Sequence, residues 1–242
     1  MIKYENIGIS FNNKKVLSDF NLEIGPGQKV LLKGKSGSGK STLFKILLGF
    51  AKPEEGKVYF QKGPISPEKV REIRKAVAYV SQDPDIGEGR VRTLLEEIFS
   101  YRANRNLFDS QKLRSLMEEF ELEEDILEKN YEELSGGEKQ RVGIIIALLL
   151  EREVYLLDEA TSALDAGLKQ KVADYFLHRR NWTLFIISHD PEWEREDVKI
   201  IVLEKLIEGD KCIEDEKSIE SGTNIESGKS VESGKNRLRR GF

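Results

Sequence analysis

Gly34-Lys35-Ser36-Gly37-Ser38-Gly39-Lys40-Ser41 fits the pattern G-x-x-x-x-G-K-[ST] at each fixed position. Before it, Lys29 to Lys33 reads as a short apolar strand. After it, Thr42 to Leu48 has the length and composition of a helix, stopped by Gly49. Strand, glycine loop and helix in this order build an anion cradle. The glycines permit a tight turn that converges successive N–H groups on one concavity, and the helix beginning near Lys40 adds the positive end of its dipole. Phosphate oxygens fit there. Lys40 is the point charge expected at the β- and γ-phosphates, and the Ser41 hydroxyl is an expected ligand of Mg²⁺. The run Gly34, Lys35, Ser36, Gly37, Ser38, Gly39, Lys40, Ser41 and Thr42 is therefore the expected nucleotide-binding segment.

The other half of this chemistry lies far downstream, in Val154-Tyr155-Leu156-Leu157-Asp158-Glu159. The apolar run is that of a strand buried on both faces of a parallel sheet. Two acids at its end put carboxylates at the carboxyl edge of that sheet, beside the phosphate loop. Asp158 is expected to hold Mg²⁺ through its water shell. Glu159 is expected to polarise the water that attacks the γ-phosphate.

Outward from these two stretches, strands alternate with helices. Met1 to about Glu23 reads as an antiparallel strand pair with Asn12-Asn13 as its turn, and Gly25-Pro26-Gly27 as a second turn. Lys57 to Gln61, Ala76 to Val80, Thr183 to Ile187 and Lys199 to Leu203 read as further strands, and Leu168 to Leu177 as a helix. From Asp83 to Tyr131 the character is helical. Thr93-Leu94-Leu95-Glu96 reads as a capping box opening one helix, with Leu94, Leu95, Ile98 and Phe99 on one side. A second helix starts near Asp109, with Leu113, Leu116, Met117 and Phe120 at core spacing. The pattern is an α/β layer architecture carrying a helical subdomain. The last stretch differs. Units such as Ser218-Ile219-Glu220-Ser221-Gly222-Thr223 and Ser230-Val231-Glu232-Ser233-Gly234-Lys235 form a six-residue repeat. It is too short to bury a core and reads as a low-complexity tail. Asn236-Arg237-Leu238-Arg239-Arg240 closes it with a basic cluster, either a solvated end or a contact to anionic lipid or a partner.

Composition narrows the classes further. Across 242 residues, 39 Lys and Arg against 43 Asp and Glu leave a net charge of −4, which argues against a nucleic-acid-binding surface spread over the protein. Cys212 is the single cysteine, so no intramolecular disulfide or cysteine zinc site is expected, and a reducing compartment is. The N-terminus has no apolar signal core. The longest apolar stretch, Val142 to Leu150, is far short of the roughly 20 residues a spanning helix needs. Any membrane role is expected to come through a partner.

Leu134-Ser135-Gly136-Gly137-Glu138-Lys139-Gln140-Arg141 decides among nucleotide enzymes. Physically it is a second anion cradle: Ser135 caps a helix, Glu138 completes a capping box, and Gly136 and Gly137 permit close backbone approach. All these positions resemble the signature of ATP-binding cassette (ABC) proteins. The resemblance extends from about residue 11 to 203. It implies a P-loop NTPase, an ABC-type cassette with a mostly parallel core sheet, an antiparallel β subdomain and a helical signature subdomain. The cassette would span 1–215, with the helical part at about 83–140, and 216–242 would be the tail.

The resemblance also implies roles. Ser135, Gly136, Gly137 and Glu138 would face ATP held by a partner subunit, as would Asp165 in Ser162-Ala163-Leu164-Asp165. Gln82 matches a glutamine that ligates Mg²⁺ at the junction with the helical subdomain, and His189 a histidine that contacts the γ-phosphate. Phe11 stands where an aromatic stacks on adenine; many relatives carry Tyr. Ile146 and Ala160 also depart from the commoner Arg and Pro, away from the phosphate chemistry. His178 matches nothing in the family. The implied protein is the ATPase subunit of an ABC transporter, active as a homodimer or heterodimer of cassettes. It would be cytoplasmic, held at the inner face of the membrane by integral permease subunits, with Mg²⁺ accompanying ATP and no nucleic acid. A soluble single-cassette ATPase acting in cofactor assembly is the alternative. A small-acceptor kinase would leave the Leu134–Arg141 stretch without a purpose.

Overall fold

A computed structural model describes residues 1–11 and 14–204. The chain opens with the antiparallel pair β1 (Ile2–Phe11) and β2 (Lys14–Ile24). A turn leads to β3 (Lys29–Lys33), the glycine loop and helix α1 (Lys40–Leu47). Next come β4 (Glu55–Phe60), β5 (Gly63–Pro64), α2 (Pro67–Ala76) and β6 (Val77–Val80). The helical segment holds α3 (Val91–Ser100) and α4 (Ser110–Glu119), followed by 3₁₀ turns at Glu124–Glu128 and Tyr131–Glu133. α5 (Gly136–Leu149) returns to β7 (Val154–Asp158). α6 (Ala166–Leu177), β8 (Thr183–Ile187) and β9 (Val198–Val202) complete the described chain.

The strands form two sheets. One is antiparallel, in the order β2-β1-β4-β5. The other has the order β6-β7-β8-β3-β9, and its pairings among the described residues are all parallel. β7 is buried along its whole length, as its unbroken apolar run requires. Its side chains alternate between two cores. Val154 and Leu156 pack with α1, the antiparallel sheet and Phe185. Tyr155 and Leu157 pack with α5, α6 and the helical segment, including Phe99, Met117 and Phe120. Burial of each such side chain favours folding by about 1.5–3 kcal/mol. The sheet therefore gathers the carboxyl ends of β3, β6, β7 and β8 along one edge, where ligands bind in open α/β sheets.

Most expected elements lie within a residue or two of the observed ones. Two findings differ. α2 was not anticipated, because Ile73 is its only fully buried residue and the apolar stripe is faint. Its start was legible: Ser66 caps it, accepting from the Lys69 N–H, with Pro67 in the first turn. The capping box at Thr93-Leu94-Leu95-Glu96 is not formed. α3 begins at Val91, Thr93 lies inside it, and Arg90 precedes it without a side-chain cap. Tertiary pairing sets that start: the Val91 N–H donates to Lys129 O at 3.1 Å, and Arg90 bridges to Asn130. The Asn12-Asn13 turn, Cys212 and the repeat tail lie outside the described residues.

Candidate functional site

Lys40, Ser41, Thr42, Gln82, Asp158, Glu159 and His189 line one cleft of about 410 Å³ at the carboxyl edge of the parallel sheet, with Ser36, Gly37 and Gly39 along its wall. β3 ends at the loop, β7 at Asp158, β8 just before His189 and β6 just before Gln82, so the sheet order itself assembles the cleft. Within it the Ser41 hydroxyl donates to Asp158 Oδ1 at 3.1 Å, and the Tyr79 hydroxyl donates to Asp158 Oδ2 at 3.4 Å. Burial pushes the Asp158 carboxyl up, against the pull of the Ser41 and Tyr79 hydrogen bonds and of Lys40.

Lys40 is only 8% exposed. Its ammonium donates to the carbonyls of Gly34 and Lys35, so the loop wraps round its own cation. Burial pulls its pKa down, and the negative charges of Glu159 and Asp158 oppose that shift. The loop also buries the Ser38 hydroxyl, 1% exposed and without a hydrogen-bond partner among the described residues. Such a group costs about 1–3 kcal/mol unless a ligand satisfies it, which suits a loop that takes a polar ligand. Gly34 cannot carry a side chain: a Cβ there would stand 2.3 Å from Leu203 O, with φ at +151°. Gly34→Ala is therefore expected to shift the loop and cost about 1–3 kcal/mol. A calorimetric scan should show a melting midpoint lower by several degrees, together with lost nucleotide affinity.

Glu159 has φ +49°, left-handed backbone that a non-glycine residue adopts at a cost. Its N–H donates to Ile187 O at 2.8 Å. Its carboxylate is half-buried, and burial pushes its pKa up, with His189 and Lys40 pulling it down. His189 Nε2 stands 3.7 Å from Glu159 Oε1. The turn carrying His189 is braced by Asp190, whose carboxylate accepts from the Thr161 hydroxyl at 2.8 Å and from Lys169 at 2.6 Å. Trp193 Nε1–H in turn donates to Thr161 Oγ1 at 3.1 Å. Sequence reasoning missed Thr161 and this brace, and also Gln140, which is almost fully buried. Their partners come from distant segments, and only the position of Thr161 just after Asp158-Glu159 hinted at it.

The remaining expected residues lie elsewhere. Ser135 and Glu138 form the expected capping box at the exposed start of α5: Ser135 Oγ accepts from the Glu138 N–H at 3.3 Å, and Glu138 Oε2 accepts from the Ser135 N–H at 2.7 Å. The Ser135 hydroxyl, donating to Glu138 Oε2 at 2.7 Å, and the Ser135 N–H hold the Glu138 carboxyl below its usual pKa. Gly137 is explained within the chain, since a Cβ there would meet Ala163 O at 3.0 Å, whereas one at Gly136 has room. Asp165 caps α6, accepting from the Leu168 N–H at 3.0 Å. None of Ser135, Gly136, Gly137, Glu138 or Asp165 lines the phosphate cleft; Gly136 borders a neighbouring cleft with Gln82, Lys139, Ser162 and Ala163. Phe11, 47% exposed, ends β1 opposite Lys14, just ahead of the Val16-Leu17 stretch that packs beside Gly39.

For a metal, the cleft offers the oxygens of Ser41, Asp158 and Gln82, hard donors of the kind Mg²⁺ takes when it binds with substrate phosphates. Among the described residues no three His, Cys, Asp or Glu side chains converge as an all-protein cage. No described helix is long and apolar enough to cross a membrane.

Residues 17–162 match the family model described as ABC transporter. The probable iron export ATP-binding protein FetA of Escherichia coli (strain K12) is 33% identical over 207 residues, covering 84% of this chain and 91% of that protein. Among solved structures, the dimeric form of MJ0796, a bacterial ABC transporter cassette, superposes with a TM-score of 0.73 at 28% identity, covering 85% of this chain and 95% of that one. A dimeric post-hydrolysis state of the same cassette, bound to ADP and Pi, gives a TM-score of 0.69 at 27% identity, covering 85% and 96%.

Proposed function

The chain belongs to the ABC transporter family, and from that premise we propose that it is the ATP-hydrolysing subunit of a transporter whose permease is made by separate chains. The observation that carries this is the convergence of Lys40, Ser41, Gln82, Asp158, Glu159 and His189 on one cleft, with a second capped helix N-terminus, that of α5, outside it. A kinase or GTPase has no use for that second cradle. Here it faces the ATP of a second cassette, identical or not, so that two nucleotides are enclosed between two chains.

The backbone N–H groups from Gly34 to Thr42 and the Lys40 ammonium neutralise the phosphates. Lys40 must leave the Gly34 and Lys35 carbonyls to do so, exchanging neutral acceptors for anionic ones, which bind it more strongly. Ser41, Asp158 and Gln82 would hold Mg²⁺, which supplies charge neutralisation at the phosphate oxygens. Glu159 accepts the proton of the attacking water, and its raised pKa strengthens it as a base. His189, beside Glu159, donates to the γ-phosphate. Phe11 stacks on the base. Ser135, Gly136, Gly137 and Glu138, with Asp165, close on the γ-phosphate held by the other cassette.

The helical segment of the cassette is read as about 83–140; the expected cassette end at 215 and the tail at 216–242 lie outside the described residues. The junction of Gln82 with that segment receives the permease, which so holds the protein at the inner membrane face. The test is purification of the tagged full chain from gently solubilised membranes, with MgATP hydrolysis assayed on the product. A polytopic membrane protein in stoichiometric amount, with phosphate released to water, is the expected result. Hydrolysis without any membrane partner would instead favour a soluble assembly ATPase.

A further inference from the structure

Gln140 is 2% exposed and makes hydrogen bonds with four groups. The two N–H groups of its Nε2 are shared among Gln82 O at 3.1 Å, Glu159 O at 3.2 Å and Ser162 Oγ at 2.9 Å, and its Oε1 accepts from the Ala163 N–H at 2.9 Å. Gln82 begins the crossing to the helical segment, and Glu159, Ser162 and Ala163 lie on the loop between β7 and α6. One amide on α5 thus ties together two loops that reach the cleft from different strands, the one after β6 and the one after β7. A buried amide with each polar atom satisfied is a rigid junction.

The junction bears on a strained residue. Glu159 sits at φ +49°, and a residue held there needs its surroundings to over-determine it. Its N–H is held by Ile187 O, and its carbonyl accepts from the Ser162 N–H at 3.1 Å as well as from Gln140. Gln140 is the only one of these partners that belongs to α5, the helix whose first turn carries Ser135 and Gly136. Gly137 packs against Ala163 O on the same loop that Gln140 grips.

We propose that Gln140 is a positioning residue: it locks the Glu159 backbone to α5, so that the Glu159 carboxylate is aimed at water only while α5 is seated. This rests on the reading of Glu159 as the base. It adds that the helix facing one ATP governs the geometry at the other, through a side chain one turn along. Gln140 itself touches no reacting atom.

The test uses the full chain, with its permease where the chain alone turns over too slowly. Gln140→Glu keeps the length and the acceptor for the Ala163 N–H but loses the donors. Gln140→Leu loses both. Misplacement of a reacting group by about 1 Å costs about 10²-fold, so kcat is expected to fall about 10²-fold while KM for ATP stays within about threefold. In a Glu159→Gln background neither substitution should lower the residual rate further, because there is no carboxylate left to aim. Should the leucine variant not fold, the glutamate variant carries the test. A kcat within twofold of wild type in the folded variants overturns the proposal. So does a parallel change in kcat and KM, or a loss that adds fully to that of Glu159→Gln, since either marks a merely structural role. A wild-type protein that never hydrolyses MgATP, alone or with its permease, overturns both this inference and the reading of the site beneath it.

Discussion

Glu159→Gln is expected to leave MgATP binding intact, to lower hydrolysis by about 10²–10⁴-fold, and to accumulate as an ATP-bound dimer. The amide keeps the size and hydrogen-bonding reach of the carboxylate and loses only its charge and basicity. The backbone of residue 159 keeps its bonds to Ile187 and Gln140, which do not involve the substituted side chain. Lys40, Ser41 and Asp158 are untouched, so the phosphates and Mg²⁺ still have their partners. On the proposed two-cassette reading hydrolysis opens the enclosed pair, so that without it the pair is expected to persist. Adding Ser135→Arg should abolish the dimer. The first turn of α5 is exposed and capped by Ser135 and Glu138. An arginine there removes a cap worth about 1 kcal/mol and fills the space the partner's γ-phosphate must enter. The phosphate loop of the same chain is unaffected, so ATP binding by the monomer should survive. Size-exclusion chromatography with light scattering, with and without MgATP, reads both effects. A kinase or GTPase would show no dependence on Ser135. A Glu159→Gln protein that stays monomeric in saturating MgATP, even with the permease added, would rule out the two-cassette arrangement.

Lys40→Ala is expected to fail earlier, at binding. Charge-assisted contacts to phosphate contribute about 1.5–3 kcal/mol each, so ATP affinity should fall by at least about tenfold. Turnover should fall by about 10²–10³-fold, as when one preorganised donor is lost at a centre of developing charge. The substitution also frees the Gly34 and Lys35 carbonyls, which Lys40 holds, so thermal melting should accompany calorimetric titration with MgATP. A folded variant with wild-type affinity and turnover would remove Lys40 from the site.

The central strands were legible because burial on both faces leaves an unbroken apolar run. β3 and β8 have the expected bounds, and β7 extends the expected run by one residue, to Asp158. The phosphate loop and the capping box of Ser135 and Glu138 were legible because each is a local device, closed within a few residues. What could not be read depends on distance. The start of α3 is set by Lys129 and Asn130, far along the chain. Gln140 reaches partners 19 and 58 residues away, and a polar side chain meeting remote carbonyls imposes no periodicity on its neighbours. Gly137 was legible as a point of close approach, but not as one filled by Ala163 of its own chain.

Leu156 and Leu157 are adjacent in the chain yet belong to different cores. α1 with the phosphate loop rests on one side of the sheet, and α5 rests on the other. Loss of either side would strip one face of the same strands and expose apolar residues that the opposite side cannot cover. Despite its two cores and its helical segment, the cassette is thus indivisible in folding. The antiparallel sheet on the α1 side packs into the core that the parallel strands share, so both sides are expected to melt in one cooperative transition. Nucleotide held at α1 would therefore raise the melting temperature of the helical segment of its own chain, which lies outside the phosphate cleft.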